Sequence, residues 1–146
     1  MGLSDQPVYL DDEAATVAHG RQFVRRIERG QVLFLEGELG AGKTTWVKGL
    51  LTGFGYHGVV TSPTFTLVES YTLAQLTLFH FDLYRLQDPQ ELEMIGFRDY
   101  LSATAVCCIE WPQRGTGVLP RADWVLDFGH CEQGGRTLCC SWRGAC

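Results

Sequence analysis

Asparagine is absent from the 146 residues, and lysine occurs only at Lys43 and Lys48. The missing asparagine excludes one mode of guanine recognition, the Asn-Lys-x-Asp segment used by common GTPases. Scarce lysine and a net charge of −5 argue against a direct nucleic-acid footprint, because a polyanion is drawn to a basic face. DNA is therefore not expected as a partner, and any RNA would be held mainly by another protein. No apolar run approaches the roughly 20 residues of a membrane span. Met1 to Leu10 has no basic stretch leading into an apolar one, so no secretory signal is expected and the expected location is cytoplasmic.

The six cysteines lack any C-x-x-C spacing; Cys107–Cys108 and Cys139–Cys140 are adjacent pairs. Zinc sites and redox dithiols need a spacer that lets both sulfurs face one point. Reduced, partly buried thiols in strands are expected instead, with Cys146 exposed at the tail and prone to oxidation.

With 45% of residues apolar and 20% charged, the chain has the composition of one globular domain spanning residues 1–146. Asp11 or Asp12 is placed to cap a first helix that carries Ala14, Val17, Phe23, Val24 and Ile27 and ends at Gly30. Gln31 to Glu36 is a short apolar run, read as a buried strand. A helix is expected from Lys43 to about Leu51, then a loop from Gly53 to Gly58. Val59 to Thr61, Thr64 to Val68 and Leu76 to Asp82 have strand composition. Asp88–Pro89–Gln90–Glu91 starts another helix with a capping box. Ala105 to Ile109 is a further apolar run. Trp124 to Phe128 and Thr137 to Trp142 flank a Gly134–Gly135 turn. Strands alternating with helices predict an α/β domain with a mostly parallel central sheet and antiparallel additions.

Gly37–Glu38–Leu39–Gly40–Ala41–Gly42–Lys43–Thr44 matches G-x-x-x-x-G-K-[ST] in full, the P-loop pattern. Its glycines let backbone N–H groups wrap an anion, and the helix behind aims unpaired N–H groups at the same point. Lys43 adds charge for β and γ phosphates. The Thr44 hydroxyl is a magnesium ligand in this motif, and Thr45 continues the cradle. ATP and Mg²⁺ are the expected ligands, and the fold becomes a three-layer, P-loop NTPase-like one.

A second magnesium ligand should be an acidic residue ending a buried strand. Asp82 and Glu110 both qualify, and Glu110 follows the cleaner apolar run. His80 and Asp82 are two apart, so they share one strand face.

The ordered blocks Ser62–Pro63–Thr64–Phe65–Thr66–Leu67–Val68, His80–Phe81–Asp82–Leu83–Tyr84–Arg85–Leu86 and Glu110–Trp111–Pro112 resemble the TsaE (YjeE) family of bacterial ATPases from about Asp12 to Leu126. The resemblance implies a role in making N6-threonylcarbamoyladenosine at position 37 of tRNA. It also implies partnership with the TsaB–TsaD complex, which would hold the tRNA. It makes Lys43 a phosphate ligand and Thr44 and Glu110 magnesium ligands. Asp82 and Thr64 would lie near the γ-phosphate, and Trp111 would line the nucleotide site. The tail after Gly129 matches no block of the family. Glu13 and Arg136 are named for adenine contact. The segment from Leu83 to Leu101 is named as the partner surface. A small-molecule kinase and a non-catalytic nucleotide switch use the same loop and stay open as alternatives.

Overall fold

Parallel strands in the middle of a sheet are buried on both faces and read as continuous apolar runs. Val32–Glu36 and Ala105–Glu110 are such runs, and all six residues of the latter are buried. In the computed structural model, which describes residues 3–4 and 6–144, they lie side by side in a single sheet. The strands are β1 (Leu3–Ser4), β2 (Val8–Leu10), β3 (Val32–Glu36), β4 (Val68–Thr72), β5 (Thr77–Asp82), β6 (Ala105–Glu110), β7 (Trp124–His130) and β8 (Arg136–Trp142). Their order runs β1-β8-β7-β3-β6-β5-β4, with β2 also paired to β8. Strands β7, β3, β6 and β5 are parallel, while β4, β8, β1 and β2 pair antiparallel.

The period of two sends alternate side chains to opposite layers. Leu33, Leu35, Leu78, Val106 and Cys108 join the core beneath α1 (Glu13–Phe23) and α2 (Lys43–Gly53). Val32, Phe34, Phe79, Phe81, Cys107 and Ile109 pack on the other face with Leu92 of α3 (Gln90–Met94) and with Phe97. This makes three layers. His80, Asp82 and Glu110 fall in the register of Leu78 and Cys108, so all three carboxylate and imidazole groups emerge on the α1–α2 side.

Helices α1 and α2 touch almost backbone to backbone. A Cβ on Gly49 would collide with the Val17 carbonyl, and one on Gly20 with the Trp46 carbonyl. Trp46 is fully buried between Phe23 and Phe128, and its Nε1 donates to His19 Nδ1 at 3.0 Å.

Several sequence expectations change at boundaries. Asp12 is the cap of α1, its carboxylate accepting from Ala15 N at 2.8 Å. The α-helix ends at Phe23 rather than Gly30: a 3₁₀ turn over Val24–Arg26 follows, and Gly30 instead turns the chain into the sheet by donating to Ala105 O. Helix α2 runs two residues further than expected, to Gly53. Val59 to Thr61 is not a strand. Its Thr61 N–H bonds to the Tyr71 hydroxyl, and Val59 O accepts from Tyr56, so no ladder is available. Thr64 to Leu67 is a turn, closed by Leu67 N donating to Pro63 O, and the strand starts at Val68. Here the hydroxyls of the segment find partners nearby and farther along the chain that compete with a sheet. The reciprocal bonds of the capping box form, Glu91 Oε2 accepting from Asp88 N and Asp88 Oδ1 from Gln90 N, each at 2.9 Å, but α3 starts at Gln90 with Pro89, not Asp88, in the capping position. Cys107, Cys108 and Cys140 are buried within strands, while Cys146 lies outside the described residues.

Candidate functional site

The segment with the P-loop pattern joins β3 to α2. Gly42 stands immediately before α2 at φ 100°, a conformation that a Cβ disfavours. It turns the first amides of α2 back toward the loop, leaving unpaired N–H groups facing one concave space. Gly37 fits against β7, where a Cβ would meet Phe128 O at 2.6 Å.

That space is a cavity of about 500 Å³. Leu39, Gly40, Gly42, Lys43, Thr44 and Thr45 line it from the loop and α2, Asp82 and Glu110 from the ends of β5 and β6, and Thr64 from the turn before β4. Glu13 and Arg136 close the side between α1 and the β7–β8 hairpin. Of the remaining loop positions, Ala41 is fully buried in the core, and Gly37 contributes its carbonyl to Lys43. Glu38 accepts the Ala41 N–H through its carbonyl, which tightens the loop.

Lys43, Asp82 and Glu110 are each about 95% buried, at 4, 5 and 4% exposure. The Thr44 hydroxyl donates to Glu110 Oε2 at 3.0 Å, and His80 Nε2 lies 2.6 Å from the same oxygen. Asp82 is held at both oxygens: Thr64 donates to Oδ2 at 3.1 Å and the Tyr84 backbone N–H to Oδ1 at 3.0 Å. Ser62 and Thr64 share a further hydroxyl bond of 2.8 Å.

Burial lowers the Lys43 pKa, and the charges of Glu110 and Asp82 pull it partly back up. Its Nζ donates to Gly37 O and sits 4.3 Å from the centre of the Trp111 ring. Trp111 therefore backs Lys43 and is not part of the cavity wall. It adopts φ 58° and ψ 50°, a left-handed conformation that is unusual for a bulky residue. Tyr84 packs on its ring at 4.9 Å, and its Nε1 is buried without a hydrogen-bond partner among the described residues.

Arg136 reaches across to the P-loop. Its Nε and Nη2 donate to Gly40 O at 3.1 and 2.8 Å, and its Nη1 to Gly135 O at 2.9 Å. Arg85 points elsewhere, stacked 4.4 Å over the exposed ring of Phe65. In the segment from Leu83 to Leu101, Leu83, Leu86, Leu92 and Phe97 are core residues, while Met94 is 84% exposed.

Asp11, Asp12, Thr16, Ser62 and Gly135 also line the cavity, and sequence reasoning did not name them as site residues. The helix cap was the available signal: a capping residue lies at a helix mouth, and α1 opens beside the P-loop. Nothing in spacing tied the Gly134–Gly135 turn to Gly40, more than 90 residues earlier.

The Threonylcarbamoyl adenosine biosynthesis protein TsaE family model matches residues 10–138. The match continues past Gly129 into β8, so the tail diverges later than the sequence blocks suggested. A relative from Haemophilus influenzae, named tRNA threonylcarbamoyladenosine biosynthesis protein TsaE, is 44% identical over 129 residues, covering 85% of this chain and 82% of its own. One of the same name from Treponema pallidum is 39% identical, covering 84% and 90%. The crystal structure of Bacillus subtilis YdiB superimposes with a TM-score of 0.79 at 28% identity, covering 99% of this chain and 87% of that one. The chain belongs to the TsaE family.

Proposed function

We propose that this protein is a magnesium-dependent ATPase that supports threonylcarbamoyl transfer to adenosine 37 of tRNA by acting on a TsaB–TsaD complex, which holds the tRNA. The biosynthetic role rests on the names of its relatives. The ATPase reading rests on the site, and one observation carries it. Thr44 Oγ1 and Glu110 Oε2 lie 3.0 Å apart beside the P-loop. Two oxygens bound at right angles to one Mg²⁺ at about 2.1 Å are themselves about 3.0 Å apart. The donors are hard oxygens, one of them anionic, as that ion requires.

In this reading the P-loop amides and the opening of α2 bind the β and γ phosphates, with Lys43 leaving Gly37 O for them. A magnesium ion held by Thr44 and Glu110 would supply positive charge for the phosphate oxygens. Asp82, fixed at both oxygens, orients the attacking water and accepts its proton, and Thr64 holds Asp82 in that attitude. Glu13 and Arg136, which line the cavity, would contact the base. Arg136 is the arginine of the cavity wall among the described residues, and its guanidinium is tied to Gly40 and Gly135. With Arg85 stacked on Phe65, the cavity wall offers no free guanidinium among the described residues to neutralise the transferring phosphoryl group. Hydrolysis is accordingly slow alone and accelerated by the partner complex.

The test is ATP hydrolysis by the purified protein with magnesium, alone and with TsaB–TsaD, and with Lys43→Ala as control. Slow activity that needs Lys43 and rises with the partners is expected. Tight ATP binding with no hydrolysis in either condition points to a nucleotide switch, and stoichiometric phosphate transfer to an added acceptor to a kinase.

A further inference from the structure

His80 is fully buried, in the centre of a sheet face whose neighbours Leu78 and Cys108 are apolar. An apolar residue would fill that position without carrying two ring nitrogens out of water. One of those nitrogens gains nothing in return: Nδ1 is buried with no hydrogen-bond partner among the described residues, a loss comparable to a broken hydrogen bond. The other, Nε2, makes a 2.6 Å contact with Glu110 Oε2. An ionised carboxylate only accepts, so the contact assigns the proton to Nε2. Bonds of this charge-assisted kind are the strong ones.

Glu110 Oε2 thus receives two donors, His80 from β5 and Thr44 from α2. The carboxylate is fixed between the sheet and the first turn of the helix. The backbone that aims His80 is held in the sheet, since β5 is hydrogen-bonded to strands on each side.

We infer that His80 is the positioning residue of the metal site: its Nε2–H holds Glu110 facing Thr44, so that the carboxylate is aimed before the ion arrives. This rests on the magnesium role proposed for Glu110. Hydrogen-bond partners of metal ligands contribute about 10–100-fold to metal affinity. His80 contributes in that range and takes no part in binding the phosphates themselves.

Glutamine and asparagine separate the two ring nitrogens. The side-chain amide of Gln reaches the position of Nε2, and that of Asn stops near Nδ1. Binding of a fluorescent ADP analogue is followed in EDTA and across a magnesium titration for wild type, His80→Gln, His80→Asn and Glu110→Gln. His80→Asn raises the magnesium concentration at half-effect by about 10–100-fold, with affinity in EDTA unchanged, and His80→Gln stays close to wild type. Equal shifts in the two His80 variants, or no shift in either, overturn the assignment. If His80→Asn fails to fold, His80→Gln alone decides: a tenfold or larger magnesium shift in it is equally fatal. A magnesium shift in Glu110→Gln with none at His80 removes only the positioning role. No shift in Glu110→Gln removes the metal site itself.

Discussion

Thr44 and Glu110 are separated by 66 positions in the chain, yet the hydroxyl of one donates to the carboxylate of the other at 3.0 Å. The contact exists because β3 and β6 are adjacent and parallel, with Leu35 opposite Glu110. The end of β6 therefore arrives beside the loop that leaves β3. Everything else in the cavity is arranged about this meeting of a helix start and a strand end.

Asp82→Asn tests the proposed proton-accepting role of that carboxylate. The amide keeps an oxygen for the Tyr84 N–H, and the Thr64 hydroxyl can reverse its bond, so the fold should persist. ATP turnover is expected to fall by about 10²–10⁴-fold, with ADP affinity little changed. Single-turnover assays at saturating ATP check this, and undiminished hydrolysis would take Asp82 out of the reaction.

Lys43 carries a pH signature. Burial lowers its pKa below the ordinary 10.5. Between the lowered value and 10.5 the unfolded chain binds the proton and the native one has released it, so stability rises with pH in that window. Below the lowered value the charged form is present in both states and the cost of burying it is felt in full. Urea midpoints of the ligand-free protein, compared with Lys43→Met, are expected to shift in favour of wild type on going from pH 8 to 10.5. A flat difference contradicts the lowered pKa.

The thiols divide by burial. Cys107 is pushed up to about 12 and Cys108 well above its ordinary value, both by desolvation. At pH 8 a thiol near 12 is thiolate in only about one molecule in 10⁴, and the thiolate is the reactive species. Alkylation of the native protein with peptide mapping should label the half-buried Cys131 and Cys139 and spare Cys107 and Cys108 until denaturant is added. Rapid native labelling of Cys107 would contradict this.

Gly49→Ala probes the layer behind the site. The added methyl meets the Val17 backbone, which cannot rotate away as a side chain can. A loss of about 1–3 kcal/mol is expected, seen as a Tm several degrees lower. An unchanged Tm would mean that α1 and α2 separate without cost.

By itself the sequence determined the local chemistry. Contiguous signals were enough for the P-loop, for the apolar runs of β3 and β6, for the capping box of α3 and for the hairpin at Gly134–Gly135, because each of these depends on residues a few positions apart. Sharing of a face by His80 and Asp82 was legible for the same reason, through the period of two. Tertiary structure decided which strands are neighbours, and hence that Asp82 pairs in register with Glu110, that His80 rather than solvent meets Glu110, and that Arg136 closes on Gly40. It also overrode composition at Val59–Thr61 and Thr64–Leu67, where β-favouring residues found hydroxyl and carboxylate partners instead of a strand. Propensity is a property of a short segment. A site built from six segments depends on the order in which a sheet assembles them, and that order is set by burying both faces of the sheet at once.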